Sequence, residues 1–332
     1  MFSPDNLYIL PVGEWIQTAV KWVALYLRPF FQVVKWPIES LLSLIEQSFH
    51  GIPLPIFVLL FTAIAWLLAS RGVALFSLAS LLFIAFMGVW SEAMTTLALI
   101  TTAIVLCVTI GVPVGILCAR SDAAWRLVRP ILDVMQTTPS FVYLVPVVMV
   151  FGVGTVPGEV AVFVAAIPPL IRFTNLGIRM VNAEMVEAGR AFGATDRQLL
   201  WEVQLPLAMP TILGGLNQTV LMAMVMSVII AMIGAEGLGL VVLEGLGRLD
   251  VGRAGVGGIS IILLAIILDR ITQALAKPAG KRQSGIMTAI SKVVRPGRAN
   301  RARKAGTGSQ YPFETDGLTS CDKKDIRSTH NT

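Results

Sequence analysis

Long apolar segments recur along most of the chain, separated by short polar turns. A helix needs about 20 mostly apolar residues to cross the hydrocarbon core of a bilayer. On this criterion the pattern predicts about seven membrane spans, at residues 54–70, 73–90, 94–118, 131–151, 156–173, 211–233 and 254–275. We therefore expect an all-α fold, a polytopic bundle of membrane helices that forms a domain over residues 54–276.

The two ends of the chain have a different pattern. In residues 1–53, apolar residues after Pro37 fall on one helical face, and we expect Pro37 in the first turn of that helix. Both an arm that contacts a partner and one that only anchors in the membrane interface fit this pattern. Residues 277–332 are polar, with nine Lys and Arg between Lys277 and Lys304. They predict a largely disordered tail. Its basic residues fit either a topology determinant or a salt-sensitive contact with anionic membrane lipids.

Basic residues in the turns predict the orientation. The turn after the third span contains Arg120, Arg126 and Arg129, whereas residues 152–155 contain no Lys or Arg. Lys and Arg accumulate on the cytoplasmic side of membrane proteins. We therefore expect a multi-pass protein of a bacterial or archaeal cytoplasmic (inner) membrane, with the N-terminal arm outside and the tail inside.

Residues 182–206 form a polar segment between two apolar spans, on the predicted cytoplasmic side. Asn182 can cap a helix that ends near Phe192, and Gly193 can supply the left-handed residue that terminates it. Thr195 to Gln198 fit a capping box that starts a second helix, and Pro206 would end that helix before the next span. The 182–206 segment is thus predicted to be an ordered helical hairpin.

Composition and motif content narrow the function. Hydrophobic residues make up 55% of the chain and charged residues 14%, against about 25% charged in soluble domains. The net charge of +6 reflects membrane topology and is no sign of nucleic-acid binding. The sequence has no P-loop, no nucleophile–His pair and no metal-ligand spacing among its three cysteines and two histidines. We therefore expect no catalytic residue, no cofactor and no metal.

Polar residues inside two predicted spans are candidates for lining a transport pathway. Gln136, Thr137 and Thr138 precede Pro139, and Asn217 and Gln218 lie in the sixth span. Polar groups at membrane depth usually face the bundle interior or a water-filled path. Each site has an alternative interpretation: the hydroxyls near Pro139 satisfy only the backbone of a broken helix, and Asn217 bonds only a neighbouring helix.

The 182–206 segment resembles the signature cytoplasmic loop of ABC importer permeases. That family has Glu-Ala-Ala, three residues, Gly, nine residues and Ile-x-Leu-Pro. This chain has Gly189 in place of the second Ala and Val203 in place of Ile. The resemblance implies that the segment docks into a groove on a separate ATP-hydrolysing subunit. It assigns that contact to Glu187, Ala188, Gly189, Gly193, Leu205 and Pro206.

A narrower resemblance, over residues 50–276, is to the permeases of glycine betaine, proline betaine or choline importers. It rests on Ala85–Leu99, Met135–Pro139, Val203–Pro210, Gly214–Thr219 and Gly245–Asp250. It implies an importer of a quaternary-ammonium solute, built from a permease homodimer, two ATP-binding subunits and an extracytoplasmic substrate-binding protein. The alternatives are a permease for another small solute, such as methionine or a sulfonate, and an ion-coupled secondary transporter. A secondary transporter needs ionisable residues at mid-membrane, and we place Asp133 and Asp269 only near span ends.

Overall fold

The computed structural model describes residues 12–26 and 28–276, and within these ranges the regular structure is entirely helical. Residues 277–332, predicted to be the basic tail, lie outside the described residues. The helices in chain order are α1 (Val12–Tyr26), α2 (Arg28–Gly51), α3 (Leu54–Leu68), α4 (Arg71–Phe86), α5 (Trp90–Arg120), α6 (Asp122–Thr137), α7 (Ser140–Phe151), α8 (Thr155–Arg179), α9 (Ala183–Ala191), α10 (Asp196–Gln198), α11 (Leu205–Ile229), α12 (Leu238–Gly247) and α13 (Val251–Ala276).

Four continuous helical stretches are long and apolar enough to cross a membrane: α5, α8, α13 and the stretch Asp196–Ile233 that contains α10 and α11. Two sharply bent helix pairs, α2 with α3 and α6 with α7, raise the count to six if each pair forms one span. The predicted all-helical membrane bundle is confirmed, and the predicted number of spans is approximate. The helix α4 corresponds to the predicted span 73–90 and has 16 residues. Its length is about 24 Å, which is shorter than a hydrocarbon core of about 30 Å.

Two predicted elements are wrong, and proline is involved in both. Residues 131–151 are not one straight span, because α6 ends at Thr137 and α7 leaves it at 102°. Pro139 lacks an amide hydrogen and disfavours a helical conformation at the residue before it, so the helix breaks there. Pro37 does not start its helix: α2 begins at Arg28 and continues through it. Beyond Pro37, Ile38 and Leu42 are buried, so packing of the apolar face outweighs the local start signal.

The helix α8 lies at the centre of the fold and packs against α5 on one side and α11 on the other. Fully buried apolar side chains fill this contact, including Ile100 on α5, Leu170 on α8 and Met226 on α11. This central packing holds the two ends of α8 in fixed positions. One end leads into the 182–206 segment, and the other meets the turn between α11 and α12.

Candidate functional site

The first helix of the 182–206 segment, α9, is capped at both ends. The Asn182 side chain accepts a hydrogen bond from the Glu184 amide at 3.0 Å. At the other end Gly193 has a φ of +82°. The Ala194 amide donates to the Gly189 carbonyl at 3.1 Å, and the Gly193 amide donates to the Arg190 carbonyl at 2.9 Å. This pair of bonds is a Schellman motif, which ends α9 by using the left-handed residue that the sequence predicts.

The second half of the segment begins as predicted but ends differently. Thr195 and Gln198 form both hydrogen bonds of a capping box. The chain then forms a π-helical turn over Leu199–Gln204, with the Leu205 amide bonded to the Leu200 carbonyl, and runs directly into α11. The prediction that Pro206 ends this helix is wrong. Pro206 lies in the first turn of α11, where its missing amide hydrogen costs little and the wider π-helical turn precedes its ring.

The six residues predicted to contact an ATP-hydrolysing subunit divide by exposure. Glu187, Ala188, Gly193 and Pro206 are exposed, whereas Gly189 and Leu205 are half-buried. A Cβ atom added at Gly189 would lie 2.7 Å from Cδ1 of the buried Leu199. Glycine at this position therefore lets α9 lie close against the π-helical turn.

An exposed apolar surface accompanies these residues on α9, and the sequence patterns alone did not single it out. Met185, Ala188 and Phe192 follow one another at intervals of three and four residues, so they share one helix face. Met185 is 50% exposed and Phe192 is 93% exposed. The exposed Met185 and Phe192 on one face of an ordered, capped helix make this face a candidate contact surface. Across the turn, Arg190 and Asp196 form an exposed ion pair at 3.6 Å.

Arg179, the last residue of α8, lies immediately before the 182–206 segment and connects three helices of the bundle. Its guanidinium donates to the Cys118 carbonyl at 2.8 Å and pairs with the Asp122 carboxylate at 2.7 Å. It also donates to the Asn175 side chain at 2.8 Å. One side chain thus connects the end of α5, the start of α6 and the end of α8. A cavity of about 530 Å³ separates this junction from α9, with Glu187 and Arg190 among its lining residues.

The residues before Pro139 lie at the break between α6 and α7. The Thr137 hydroxyl donates to the Asp133 carbonyl at 2.9 Å, and the Thr138 hydroxyl donates to the Val134 carbonyl at 2.7 Å. Both hydroxyls therefore bond the last turn of their own helix. Gln136 is exposed at the same break. Nearby, Asp133 forms an ion pair with Arg172 of α8.

Asn217 bonds a neighbouring helix. Its amide group donates to the Asp269 carboxylate at 3.1 Å, and its carbonyl accepts a hydrogen bond from the Thr272 hydroxyl. Both partners belong to α13, so Asn217 connects α11 to α13. Gln218 is exposed. Asn217 therefore has the interhelical contacts of the alternative interpretation, and the pathway role of these residues stays a prediction.

One ionisable residue inside the bundle was missed by the sequence reasoning. Glu159 of α8 has no exposed surface, and neither of its carboxylate oxygens has a hydrogen-bond partner among the described residues. The signal was present, because Glu159 is an acidic residue inside the predicted span 156–173.

The fold and sequence agree with those of known proteins. A solved structure of the MetNI methionine ABC transporter in an inward-facing conformation (CY5 native crystal form) contains a chain with the same fold. The TM-score is 0.51 at 24% sequence identity, over 56% of this chain and 95% of that one. The profile of the family described as "binding-protein-dependent transport system inner membrane component" matches residues 111–279.

Full-length relatives extend this agreement. The chain is 49% identical over 282 residues to the glycine betaine/proline betaine transport system permease protein ProW of Escherichia coli K12, covering 85% of this chain and 80% of ProW. It is 42% identical over 269 residues to the glycine betaine transport system permease protein OpuAB of Bacillus subtilis 168, covering 81% of this chain and 95% of OpuAB. The chain belongs to the family of binding-protein-dependent transport system inner membrane components. It is a multi-pass permease subunit of an ABC transporter, as the motif at 187–206 predicts.

Proposed function

We propose that this permease imports a quaternary-ammonium compatible solute, namely glycine betaine, proline betaine or choline, with energy from ATP hydrolysed on a separate subunit. The observation that carries the proposal is the 49% identity to a glycine betaine/proline betaine permease over 85% of the chain. Relatives named for carnitine and choline transport match over 35% and 36% of the chain. The compounds in all these names carry a trimethylammonium or dimethylammonium group. We therefore assign this class of substrate to the protein, and not one particular compound.

The 182–206 segment is the proposed docking site for the ATP-binding subunit. Its support is local: α9 is capped at both ends, and it presents Met185, Ala188 and Phe192 on one exposed face. Burial of a large apolar side chain contributes about 1.5–3 kcal/mol, so Phe192 alone can supply a substantial part of a contact. Glu187 and Arg190 provide charges of both signs at the rim of this face.

The complete importer is proposed to contain two copies of this chain, two ATP-binding subunits and one extracytoplasmic substrate-binding protein. The docking segment then faces the cytoplasm, the N-terminal arm lies outside and the basic tail lies inside among anionic lipids. Substrate choice is made mainly by the binding protein. Gln136, Thr137, Thr138, Asn217 and Gln218 remain proposed pathway residues, on the evidence of their polarity within spans.

The test is uptake by vesicles that contain the reconstituted complex, with the binding protein added outside and ATP enclosed. We expect labelled glycine betaine to accumulate only with ATP, and proline betaine or choline to compete for it. The permease alone should hydrolyse no ATP. Transport of methionine or a sulfonate, with no transport of or competition by betaines and choline, would contradict the substrate assignment. Accumulation driven by an ion gradient without ATP would contradict the mechanism.

A further inference from the structure

Glu159 is the most unusual polar group in the membrane part of the described structure. It is fully buried in α8, and both carboxylate oxygens lack hydrogen-bond partners among the described residues. Burying a carboxyl group in an apolar interior without a hydrogen-bond partner is costly, so its presence here calls for a functional explanation. In this state the carboxyl group of Glu159 makes no stabilising hydrogen bond to a described residue. An ionisable residue of this kind within the membrane is expected to act in another state of the protein.

Glu159 lies at the end of α8 opposite the 182–206 segment. Twenty residues separate it from Arg179, where α8 meets that segment, which corresponds to about 30 Å of helix. In the proposed topology this places Glu159 toward the extracytoplasmic side, where substrate enters from the binding protein.

Two turns meet beside this end of α8. The turn before α8 contains Gly154, whose amide donates to the Ile233 carbonyl at 3.0 Å. The turn after Ile233 begins with Gly234, and a Cβ added there would lie 3.2 Å from the Val153 side chain. The neighbouring Gly158 packs closely against Ile230 and Ala235. The end of α8 is therefore closed by one backbone hydrogen bond between the two turns and by close packing of Gly158 against Ala235 and the fully buried Ile230. Separation of this contact would expose Ile230.

The surroundings of Glu159 suit a quaternary ammonium group. Phe163 lies four residues further along α8, so the two side chains share one helix face. A carboxylate and an aromatic face are the groups that bind a trimethylammonium cation, which cannot donate a classical hydrogen bond. Cys107 of α5 lies beside the same part of α8, since its thiol is 4.0 Å from the Phe163 carbonyl oxygen.

We propose that Glu159 is a substrate-recognition residue of the translocation pathway: it is buried when the extracytoplasmic end is closed, and its carboxylate faces and attracts the quaternary ammonium group when that end opens. This inference rests on the proposed function, from which it takes the cationic group. It adds a specific residue and a state-dependent exposure. In the open state water reaches the carboxylate, which then faces the incoming cation.

Cys107 provides a native reporter for the test. In a Cys118→Ser and Cys321→Ser background, Cys107 is the only thiol of the three in the sequence. The whole complex is placed in vesicles and held either at rest or with ATP and vanadate plus binding protein, to favour the outward-open state. Two methanethiosulfonate reagents are then compared, one with a trimethylammonium group and one with a sulfonate. Each rate is divided by the rate of the same reagent with a small free thiol.

We expect Cys107 to be protected at rest and to react in the trapped state. There the trimethylammonium reagent should be favoured by about tenfold, since a nearby carboxylate attracts the cation and repels the anion. Glu159→Gln, which keeps the shape of the side chain, should reduce this preference to near one. Thr174→Val is the matched control, because Thr174 is also fully buried on α8 with an unpartnered hydroxyl. It should keep the preference.

The outcomes separate the two proposals. A cation preference that is lost in Glu159→Gln and kept in Thr174→Val supports the role of Glu159. This result would stand even if betaine uptake by the same wild-type vesicles fails and another cationic solute is the cargo. Protection of Cys107 in both states, or an equal preference in wild type and Glu159→Gln, overturns it. Basal ATP hydrolysis by each complex reports whether the variant is correctly assembled.

Discussion

Replacement of Gly193 isolates the conformational requirement of the turn that ends α9. The residue has a φ of +82°, and a Cβ atom added to it meets nothing within 4 Å. A substitution there therefore introduces no clash, and its cost comes from the backbone alone. An L-residue in the left-handed region costs about 1–2 kcal/mol, and a β-branched residue lies at the upper end. Asn tolerates this region best among the non-glycine residues.

These costs translate into binding. If the free segment of a variant relaxes out of the Schellman turn, and docking of the ATP-binding subunit must restore that turn, up to the full penalty appears in the dissociation constant. About 1 kcal/mol for Gly193→Ala weakens binding up to about fivefold, and about 2 kcal/mol for Gly193→Val weakens it up to about 30-fold. Gly193→Asn should stay within about twofold of wild type. The affinity for the ATP-binding subunit should therefore decrease in the order Gly, Asn, Ala, Val. Asn precedes Ala in this order although its side chain is larger.

The assay is titration of a labelled ATP-binding subunit onto the permease in nanodiscs, with uptake by the reconstituted complex measured in parallel. Circular dichroism of each variant checks that the bundle is intact. Equal affinities across the four proteins would refute the requirement for this turn. Asn as damaging as Val would show that side-chain size, and not backbone conformation, decides the contact.

Two further predictions concern side chains that connect helices. Arg179→Gln loses the ion pair to Asp122, and because both groups are partly solvated we expect a loss of only about 1 kcal/mol of stability. The measurement is the melting temperature of the detergent-solubilised protein, which should fall. An unchanged melting temperature would show that the junction does not depend on Arg179. Asn217→Leu loses the bonds to α13 and should cost about 0.6–1.7 kcal/mol, with lower thermal stability and an unchanged KM for uptake. A changed KM at unchanged stability would instead support a pathway role for Asn217.

The local structure of the 182–206 segment was predictable because short-range chemistry controls it. The Asn182 cap, the Gly193 turn and the capping box at Thr195 each depend on residues within three or four positions. The end of the segment was not predictable in this way. Pro206 carries a helix-stop signal, but the helix continues from the π-helical turn into α11, where Leu199, Leu200 and Ala208 are buried against the bundle. Tertiary packing outweighed the local signal there.

Sequence by itself determined the class of this protein. Long apolar segments require membrane helices because a bilayer cannot satisfy exposed backbone polar groups, and the resemblance of residues 187–206 to a known signature loop indicated the permease family. Only the tertiary structure decided which polar residues are partnered. Asn217 and Asp269 lie 52 positions apart and bond each other, whereas Glu159 is enclosed by helices distant in sequence and bonds nothing among the described residues. Burial and partnership depend on which helices pack together, and periodicity within one helix carries no information about its neighbours.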